Sequence, residues 1–227
     1  MDKYSKIVQN LIRAGIKMVA VDFDLTILNI HTHGFWQFTS KMLATRVRPC
    51  FKHFLNEALN SDLHVAVVTQ SPQVELVREV LELSLPDCDI RKIEIRGADG
   101  KWKEVRGVTK EGKQQHIESA IKQFEKTRKV KISAKNVILL DDDINNINIA
   151  RSCKMQALHV TDDNSLDTLL DQRQTQGTLH SIQLYSEGNA TIPIKDNKPY
   201  KPSLDQPRKF VAYKSVPVGV TRENLSV

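Results

Sequence analysis

Two acidic clusters in the sequence have the residue types and spacing needed for metal-assisted chemistry. Asp22 and Asp24 lie two residues apart in the run VDFDLT, and Asp141, Asp142 and Asp143 are consecutive in the run LLDDDINN. Neighbouring carboxylates repel one another unless a cation lies between them, and Mg²⁺ prefers oxygen ligands. A carboxylate is also a useful nucleophile toward phosphorus, because the acyl phosphate it forms is easily hydrolysed. These residues therefore predict a divalent-cation site that supports phosphoryl chemistry.

The second cluster also has a purely structural interpretation. Acidic residues stabilise helix N-termini, and a helix is predicted to begin near Ile144, directly after the three aspartates. One carboxylate is enough for that purpose. Three of them, matched by a second acidic strand end at Asp22, favour a cation site over capping alone.

Each acidic cluster follows a short apolar run that is typical of a strand buried on both faces. Four such runs are predicted as strands, and a fifth segment alternates like a strand nearer an edge: 18–22, 63–69, 136–141, 155–160 and 89–96. Helical patterns surround and separate them at 3–14, 51–59, 73–83, 114–126, 144–153 and 166–174.

Alternating strands and helices predict an α/β fold, a doubly wound and mainly parallel sheet. The first three buried runs end in Asp22, Thr69 and Asp141. Ligands bind outside the carboxyl ends of the strands in such sheets. We therefore expect these three side chains to meet in one crevice.

Together, these segments resemble the four motifs of the haloacid dehalogenase (HAD) superfamily of phosphatases. DFDLT (22–26) resembles the first motif, DxDxT, and Thr69 resembles the Ser or Thr that closes the second. Lys113, just before a helix, resembles the lysine of the third motif, and LLDDDINN (139–146) resembles the fourth. Order and spacing agree over 17–163. The resemblance implies a HAD-like Rossmannoid fold, and it is closest to the small magnesium-dependent phosphatases with minimal caps.

The resemblance also implies a role for each motif residue. Asp22 is expected to attack phosphorus and form an aspartyl phosphate, and Asp24 to act as general acid and then general base. Thr69 is expected to donate a hydrogen bond to a phosphoryl oxygen, and Lys113 to neutralise its charge. Mg²⁺ is expected on a carboxylate oxygen of Asp22, the backbone carbonyl of Asp24, and Asp142.

Which aspartate of the second cluster faces the metal stays open at this point. Asp142 is favoured over Asp141 and Asp143, because Asn146 then follows four residues later, one helical turn along. Asn146 is expected to orient Lys113 or a metal-bound water.

Other residues compete for these roles. Ser71 is an alternative phosphate donor to Thr69, and Lys103 and Lys110 are alternatives to Lys113, although neither leads so directly into a helix. His31 and His33 flank the loop expected over the site, where substrate contact is favoured over metal binding.

Composition narrows the class of protein. The chain has 227 residues with a formal net charge of +6, and its hydrophobic and charged fractions, 40 % and 26 %, are ordinary for a globular protein. No apolar run approaches the ~20 residues of a membrane span. Three scattered cysteines indicate a reducing compartment, so a cytoplasmic location is expected.

The spacing of the motifs bears on the substrate. Asp24 and Thr69, like Thr69 and Lys113, are separated by about 45 residues, most of which the predicted elements use, so no large cap domain fits. We expect a phosphatase domain over 1–176 and a proline-containing tail, extended or disordered, over 177–227, with a short strand at 209–213. In a basic, glycine-rich stretch, 98–113, the segment KWKEVRGVT (101–109) suggests a hairpin.

An uncapped site suits a bulky phosphorylated macromolecule such as a phosphoprotein or a nucleic-acid end. A non-catalytic binding protein on the same fold and a nucleic-acid 3′-phosphatase remain alternatives, and the oligomeric state stays open.

Overall fold

The computed structural model describes residues 1–171. Its centre is one five-stranded sheet in which every strand pairs in parallel, with the order β3-β2-β1-β4-β5. The strands are β1 (Met18–Val21), β2 (His64–Val68), β3 (Glu94–Arg96), β4 (Val137–Asp141) and β5 (Gln156–His159). The expected α/β class with a parallel sheet is therefore confirmed.

Six α-helices connect and flank these strands. They are α1 (Lys3–Arg13), α2 (Ser40–Ala44), α3 (Pro49–Leu59), α4 (Val74–Ser84), α5 (Gln114–Arg128) and α6 (Ile144–Ser152). The sequence predicted all of these except α2, a short helix that Thr39 caps by accepting a hydrogen bond from the Met42 amide. Every helix in residues 1–171 is too short or too polar to cross a bilayer.

The sheet divides the core into two apolar layers, because successive strand residues point to opposite faces. Val19 and Val21 of β1 join the larger layer, which includes buried residues of α1, α3 and α4. Met18 and Ala20 of the same strand join the smaller layer, with buried residues of α5 and α6. Helices therefore cover both faces, as the unbroken apolar strands require.

Three segments differ from the sequence-based expectation. Residues 89–96 form a 3₁₀ turn, Ile90–Lys92, before the short edge strand β3. The helix predicted at 166–174 is a 3₁₀ helix, Ser165–Leu170, and the rest of that prediction lies outside the described residues. Residues 101–112 contain turns and no strand, so the hairpin is wrong. The predicted tail and its strand at 209–213 also lie outside the described residues.

Candidate active site

The carboxyl ends of the strands open into a cavity of about 500 Å³. Asp22 continues β1, and its amide donates a hydrogen bond to the carbonyl of Leu140 in β4. Thr69 continues β2, with its amide bonded to the carbonyl of Arg96. The cavity is lined by Asp22, Asp24, His31, Gly34, Thr69, Gln70, Ser71, Lys113, Asp141, Asp142, Asp143, Ile144, Asn146 and His159. The crevice predicted from the strand ends is therefore present.

A buried ion pair lies at the base of this cavity. Lys113 Nζ donates to Asp22 Oδ1 over 2.7 Å, and both side chains are almost fully buried. Lys113 is the N-cap residue of α5, where it ends the loop that follows β3. The alternative lysines lie elsewhere on the surface: Lys103 is exposed, and Lys110 pairs with Glu104. Lys113 is therefore the cation that faces the predicted nucleophile.

One lysine does not balance the charge that surrounds it. Ligand oxygens of Asp22, Asp141 and Asp142 lie within 4.8 Å of one another. Burial, and then the charge of Asp141, raise the pKa of Asp22 to about 7 although Lys113 opposes this. Burial likewise raises the pKa of Asp141. Three carboxylate oxygens with excess negative charge form a donor set that fits a hard divalent cation such as Mg²⁺.

The three consecutive aspartates have different partners. Asp141 is fully buried and accepts hydrogen bonds from the Asp143 amide and from Asn146 Nδ2. Asp142 is partly exposed, and its Oδ1 accepts a hydrogen bond from Thr26 over 3.3 Å. Asp143 caps α6 by accepting a hydrogen bond from the Asn145 amide.

These partners divide the roles within the cluster. Asn146 Nδ2 donates to Asp141, and the orientation of Lys113 or a metal-bound water by Asn146 stays a prediction. The capping interpretation applies to Asp143 alone. Asp141 and Asp142 are the two members that turn toward Asp22.

His159 is a site residue that the sequence analysis missed. It is the last residue of β5, and its Nε2 lies 2.7 Å from the backbone carbonyl of Asp142. A carbonyl only accepts, so Nε2 carries the hydrogen and donates it. The bond fixes the main chain that carries Asp142. The predicted strand 155–160 ends at the same sheet edge as the aspartates. That shared edge is the feature of the sequence that could have identified His159.

Asp24 lies two residues after Asp22, in the wide turn Phe23–Ile27. Leu25 takes a left-handed conformation there (φ 55°), and its amide bonds to the carbonyl of Ile30, which folds the following loop back over the turn. The Thr32 amide and hydroxyl both donate to Asp24, at 3.0 and 2.7 Å to Oδ2. The loop thus fixes the orientation of the expected general acid.

His31 also contacts Asp24. Its Nδ1 lies 2.8 Å from Asp24 Oδ2 and 2.9 Å from the His33 amide nitrogen, and the two imidazole rings are stacked. With a proton, Nδ1 donates to Asp24; without one, it accepts from the His33 amide. Neither histidine belongs to the carboxylate cluster found in the described part of the chain.

Thr69 and Ser71 also line the cavity. Thr69 Oγ1 accepts a hydrogen bond from the Ser71 amide over 3.1 Å, so its own hydroxyl hydrogen is available to a ligand. Gln73 clamps the facing loop, because its side-chain amide accepts from the Trp36 amide and donates to the Trp36 carbonyl. Both hydroxyls line the cavity, and both remain candidates for a phosphoryl oxygen.

His116, three residues after Lys113, does not line the cavity. Its ring is buried against Trp102, and neither ring nitrogen has a hydrogen-bond partner among the described residues. Burial, and then the charge of Lys113, lower its pKa to about 4. His116 is therefore neutral near pH 7 and adds no charge beside Lys113.

The four motif segments occupy the positions that the sequence resemblance implies. Asp22 follows β1, Thr69 follows β2, Lys113 begins α5, and Asp141 ends β4. The sheet order and the places of these residues agree with the HAD-like Rossmannoid fold that the resemblance implies. No segment among the described residues forms a large cap over the cavity.

No family model and no curated protein matches the chain. Solved structures that are similar to it include the HAD domain of the effector Lem4 from Legionella pneumophila, at 15 % identity over 76 % of this chain and 95 % of that one, with a TM-score of 0.40.

Two further similar structures come from other bacteria. One is the N-terminal part of BF1531 from Bacteroides fragilis, which contains a phosphatase domain and is complexed with Mg (14 % identity, 76 % of this chain, 42 % of that one, TM-score 0.44). The other is the hypothetical protein XCC2798 from Xanthomonas campestris (11 %, 83 % and 97 %, TM-score 0.42). Similarity this distant does not transfer a substrate or a reaction.

Proposed function

We propose that this protein is a Mg²⁺-dependent phosphomonoester hydrolase that works through an aspartyl phosphate on Asp22. One observation supports this above all: the Asp22 carboxylate lies at the base of an open cavity, hydrogen-bonded to Lys113 and with a ligand oxygen within 4.8 Å of those of two further carboxylates. A nucleophile that has both a cation and a metal-ligand cluster beside it is suited to attack an anionic phosphate.

Asp22, Asp142 and the backbone carbonyl of Asp24 would hold the ion, with Asp141 beside them. When bound, Mg²⁺ supplies positive charge that offsets the repulsion between the phosphate and the carboxylates. Asn146 and His159 would keep Asp141 and Asp142 in place, because each donates a hydrogen bond to one of them.

In the first step, a carboxylate oxygen of Asp22 attacks phosphorus and the bond to the ester oxygen breaks. Protonated Asp24 gives its proton to that oxygen, so the alcohol leaves neutral. Lys113 stays within hydrogen-bond distance of Asp22 and offsets phosphate charge. The hydroxyl of Thr69, with Ser71 as the alternative, donates to a phosphoryl oxygen.

In the second step, Asp24 is ionised and takes a proton from a water that attacks the aspartyl phosphate. The phosphorus–carboxylate bond breaks, inorganic phosphate leaves, and Asp22 is regenerated. The two donors from Thr32 hold Asp24 in one orientation, so the same carboxyl serves both steps.

The test is hydrolysis of a small aryl phosphate with Mg²⁺ and with EDTA. We expect Asp22→Asn to reduce turnover to background, and Lys113→Gln to lower it on the order of 10²–10³-fold. Asp87→Asn, at an exposed acid outside the cavity, is the matched control and should retain full turnover.

The intermediate gives a second readout. Asp24→Asn lacks both the acid of the first step and the base of the second. With an aryl phosphate, whose aryloxide leaves without needing a proton, the first step still proceeds, so phosphate is expected to accumulate on the protein and to be detected by intact mass. Turnover that is unchanged in Asp22→Asn would refute the nucleophile. No turnover by the wild-type protein on a panel of phosphate esters would favour the non-catalytic binding protein.

A further inference from the structure

Large apolar side chains are exposed at the rim of the cavity. Ile144, which lines the cavity, is 50 % exposed, and Phe35, the neighbour of the cavity residue Gly34, is 62 % exposed. Phe38 and Met42 follow at 62 % and 52 %. Exposed apolar side chains that form a contiguous patch mark an interaction site more often than scattered ones do.

The rim segment is held in place. Gln73 bonds to both the amide and the carbonyl of Trp36, and Ser71 lies 3.5 Å from the carbonyl of Gly34. The ring of Phe38 meets Trp36 edge to face, with centroids 5.3 Å apart. The segment that carries Phe35 and Phe38 is therefore held in place directly after Gly34, which lines the cavity.

The position of Asp22 determines what covers this rim. Asp22 is 6 % exposed at the base of the cavity, so a phosphate that reaches its carboxylate leaves the rest of the substrate at the mouth. That remainder must pass the rim, where Ile144 and the loop after Gly34 lie. The substrate itself is thus the natural occupant of the apolar surface.

Charge in the cavity distinguishes between classes of substrate. Five aspartates and one lysine line the cavity; with Asp24 protonated, as the first step requires, and both histidines neutral the formal charge is −3, and one divalent cation reduces it to −1. A single phosphate can be held by the ion and Lys113. The further phosphates of a nucleic-acid end would meet remaining negative charge, Asp143 included, which is exposed.

Lysine and arginine side chains near the cavity do not offset its negative charge. On the basic loop 101–112, Lys101 pairs with Glu75 and Lys110 with Glu104. Lys103 and Arg106 are exposed, yet neither lines the cavity. The mouth therefore combines apolar side chains with negative charge.

We propose that the substrate is a phosphoprotein whose phosphorylated residue is flanked by apolar side chains, and that Phe35, Phe38, Met42 and Ile144 form the surface that receives them. This rests on the proposed hydrolase function and specifies its substrate class. A segment with one phosphate and apolar neighbours satisfies both the polar base of the cavity and its apolar rim.

Two phosphopeptides test the proposal with the full-length protein. They share one phosphorylated residue, flanked by Leu and Met in the first and by Ser and Gly in the second; a 3′-phosphorylated oligonucleotide is the third substrate. We expect kcat/KM for the apolar peptide to exceed that for the polar peptide roughly tenfold or more, mainly through a lower KM. The oligonucleotide should be the poorest substrate.

Variants test whether Phe35 and Phe38 cause the preference for the apolar peptide. Phe35→Ser combined with Phe38→Ser should bring the ratio between the two peptides toward one. Leu83→Ser, at an exposed apolar residue late in α4, is the matched control and should keep the wild-type ratio. Circular dichroism checks that each variant is folded.

Each failure has a distinct meaning. An equal kcat/KM for both peptides in the wild-type protein, or a preference that survives in the double variant, would overturn the proposed surface while hydrolysis itself stands. A higher kcat/KM for the oligonucleotide than for either peptide would show that the substrate is a nucleic-acid end and not a phosphoprotein. Absence of hydrolysis on every substrate, small esters included, would instead remove the underlying function.

Discussion

Replacing Asp142 with Asn should abolish most of the stabilisation that Mg²⁺ gives this protein. The cluster of Asp22, Asp141 and Asp142 concentrates carboxylate oxygens within 4.8 Å, with Lys113 as the cation that contacts it. An ion that binds the folded state and not the unfolded chain raises the free energy of unfolding. Of the three carboxylates, Asp142 has the weakest hydrogen bonding, because its Oδ1 accepts a bond of 3.3 Å from Thr26.

The magnitude follows from linkage. At a Mg²⁺ concentration 100 times its Kd, the wild-type protein gains about 2.7 kcal/mol. For a domain of this size that corresponds to a rise in melting temperature of about 5–10 °C. Loss of an outer-shell hydrogen bond already weakens metal binding 10–100-fold, so loss of a charged ligand should cost about 100-fold at least. The gain at the same concentration then falls to about 0.4 kcal/mol.

The assay is thermal unfolding followed by circular dichroism, in EDTA and across a Mg²⁺ titration. Asp143→Asn is the matched control, because Asp143 caps α6 and Asn caps a helix equally well. That variant should keep the full shift of the wild-type protein. Without metal, Asp142→Asn should melt no lower than wild type, since it removes one of several like charges.

A full Mg²⁺ shift in Asp142→Asn together with its loss in Asp143→Asn would refute this assignment of the ligands. Absence of any shift in the wild-type protein at millimolar Mg²⁺ would refute the cation site itself. Calorimetric titration of Mg²⁺ into both variants gives the affinities independently of unfolding.

Three further predictions concern pH, packing and the support of the metal loop. The pKa of Asp22 is raised from 3.8 to about 7, so the folded state keeps a proton that the unfolded chain has released. The melting temperature of the metal-free protein should therefore fall as pH rises from about 4 to 7, and the decline should be smaller in Asp22→Asn, where the raised pKa of Asp141 still contributes. Gly97→Ala should cost about 1–3 kcal/mol in denaturant unfolding and lower activity, because the added Cβ would lie 2.5 Å from the Ser71 carbonyl oxygen. His159→Phe removes the hydrogen bond to Asp142 and should weaken Mg²⁺ binding about 10–100-fold by calorimetry, with partial recovery in His159→Asn.

Much of the fold could be predicted because its determinants are local. Buried apolar runs with no alternation predict strands covered on both faces, and β1, β2 and β4 occur where those runs lie. Features that depend on weak local signals were missed or wrong. The helix α2 has only five residues, too few for a periodic pattern. The stretch 101–109, predicted as a hairpin, has no strand in the structure, and Val105 within it is buried and bonded to Gln115.

The sequence by itself determined which residues stand at the strand ends and helix starts, since chain periodicity and parallel pairing bring Asp22, Thr69 and Asp141 to one sheet edge. Only the tertiary structure decided how their side chains are partnered. Lys113 meets Asp22 across 91 residues, and His159 meets Asp142 across 17. Contacts between segments that are distant in the chain depend on how helices and loops pack on the sheet, and no local pattern encodes those distances. The same packing left the rim side chains exposed beside the cavity.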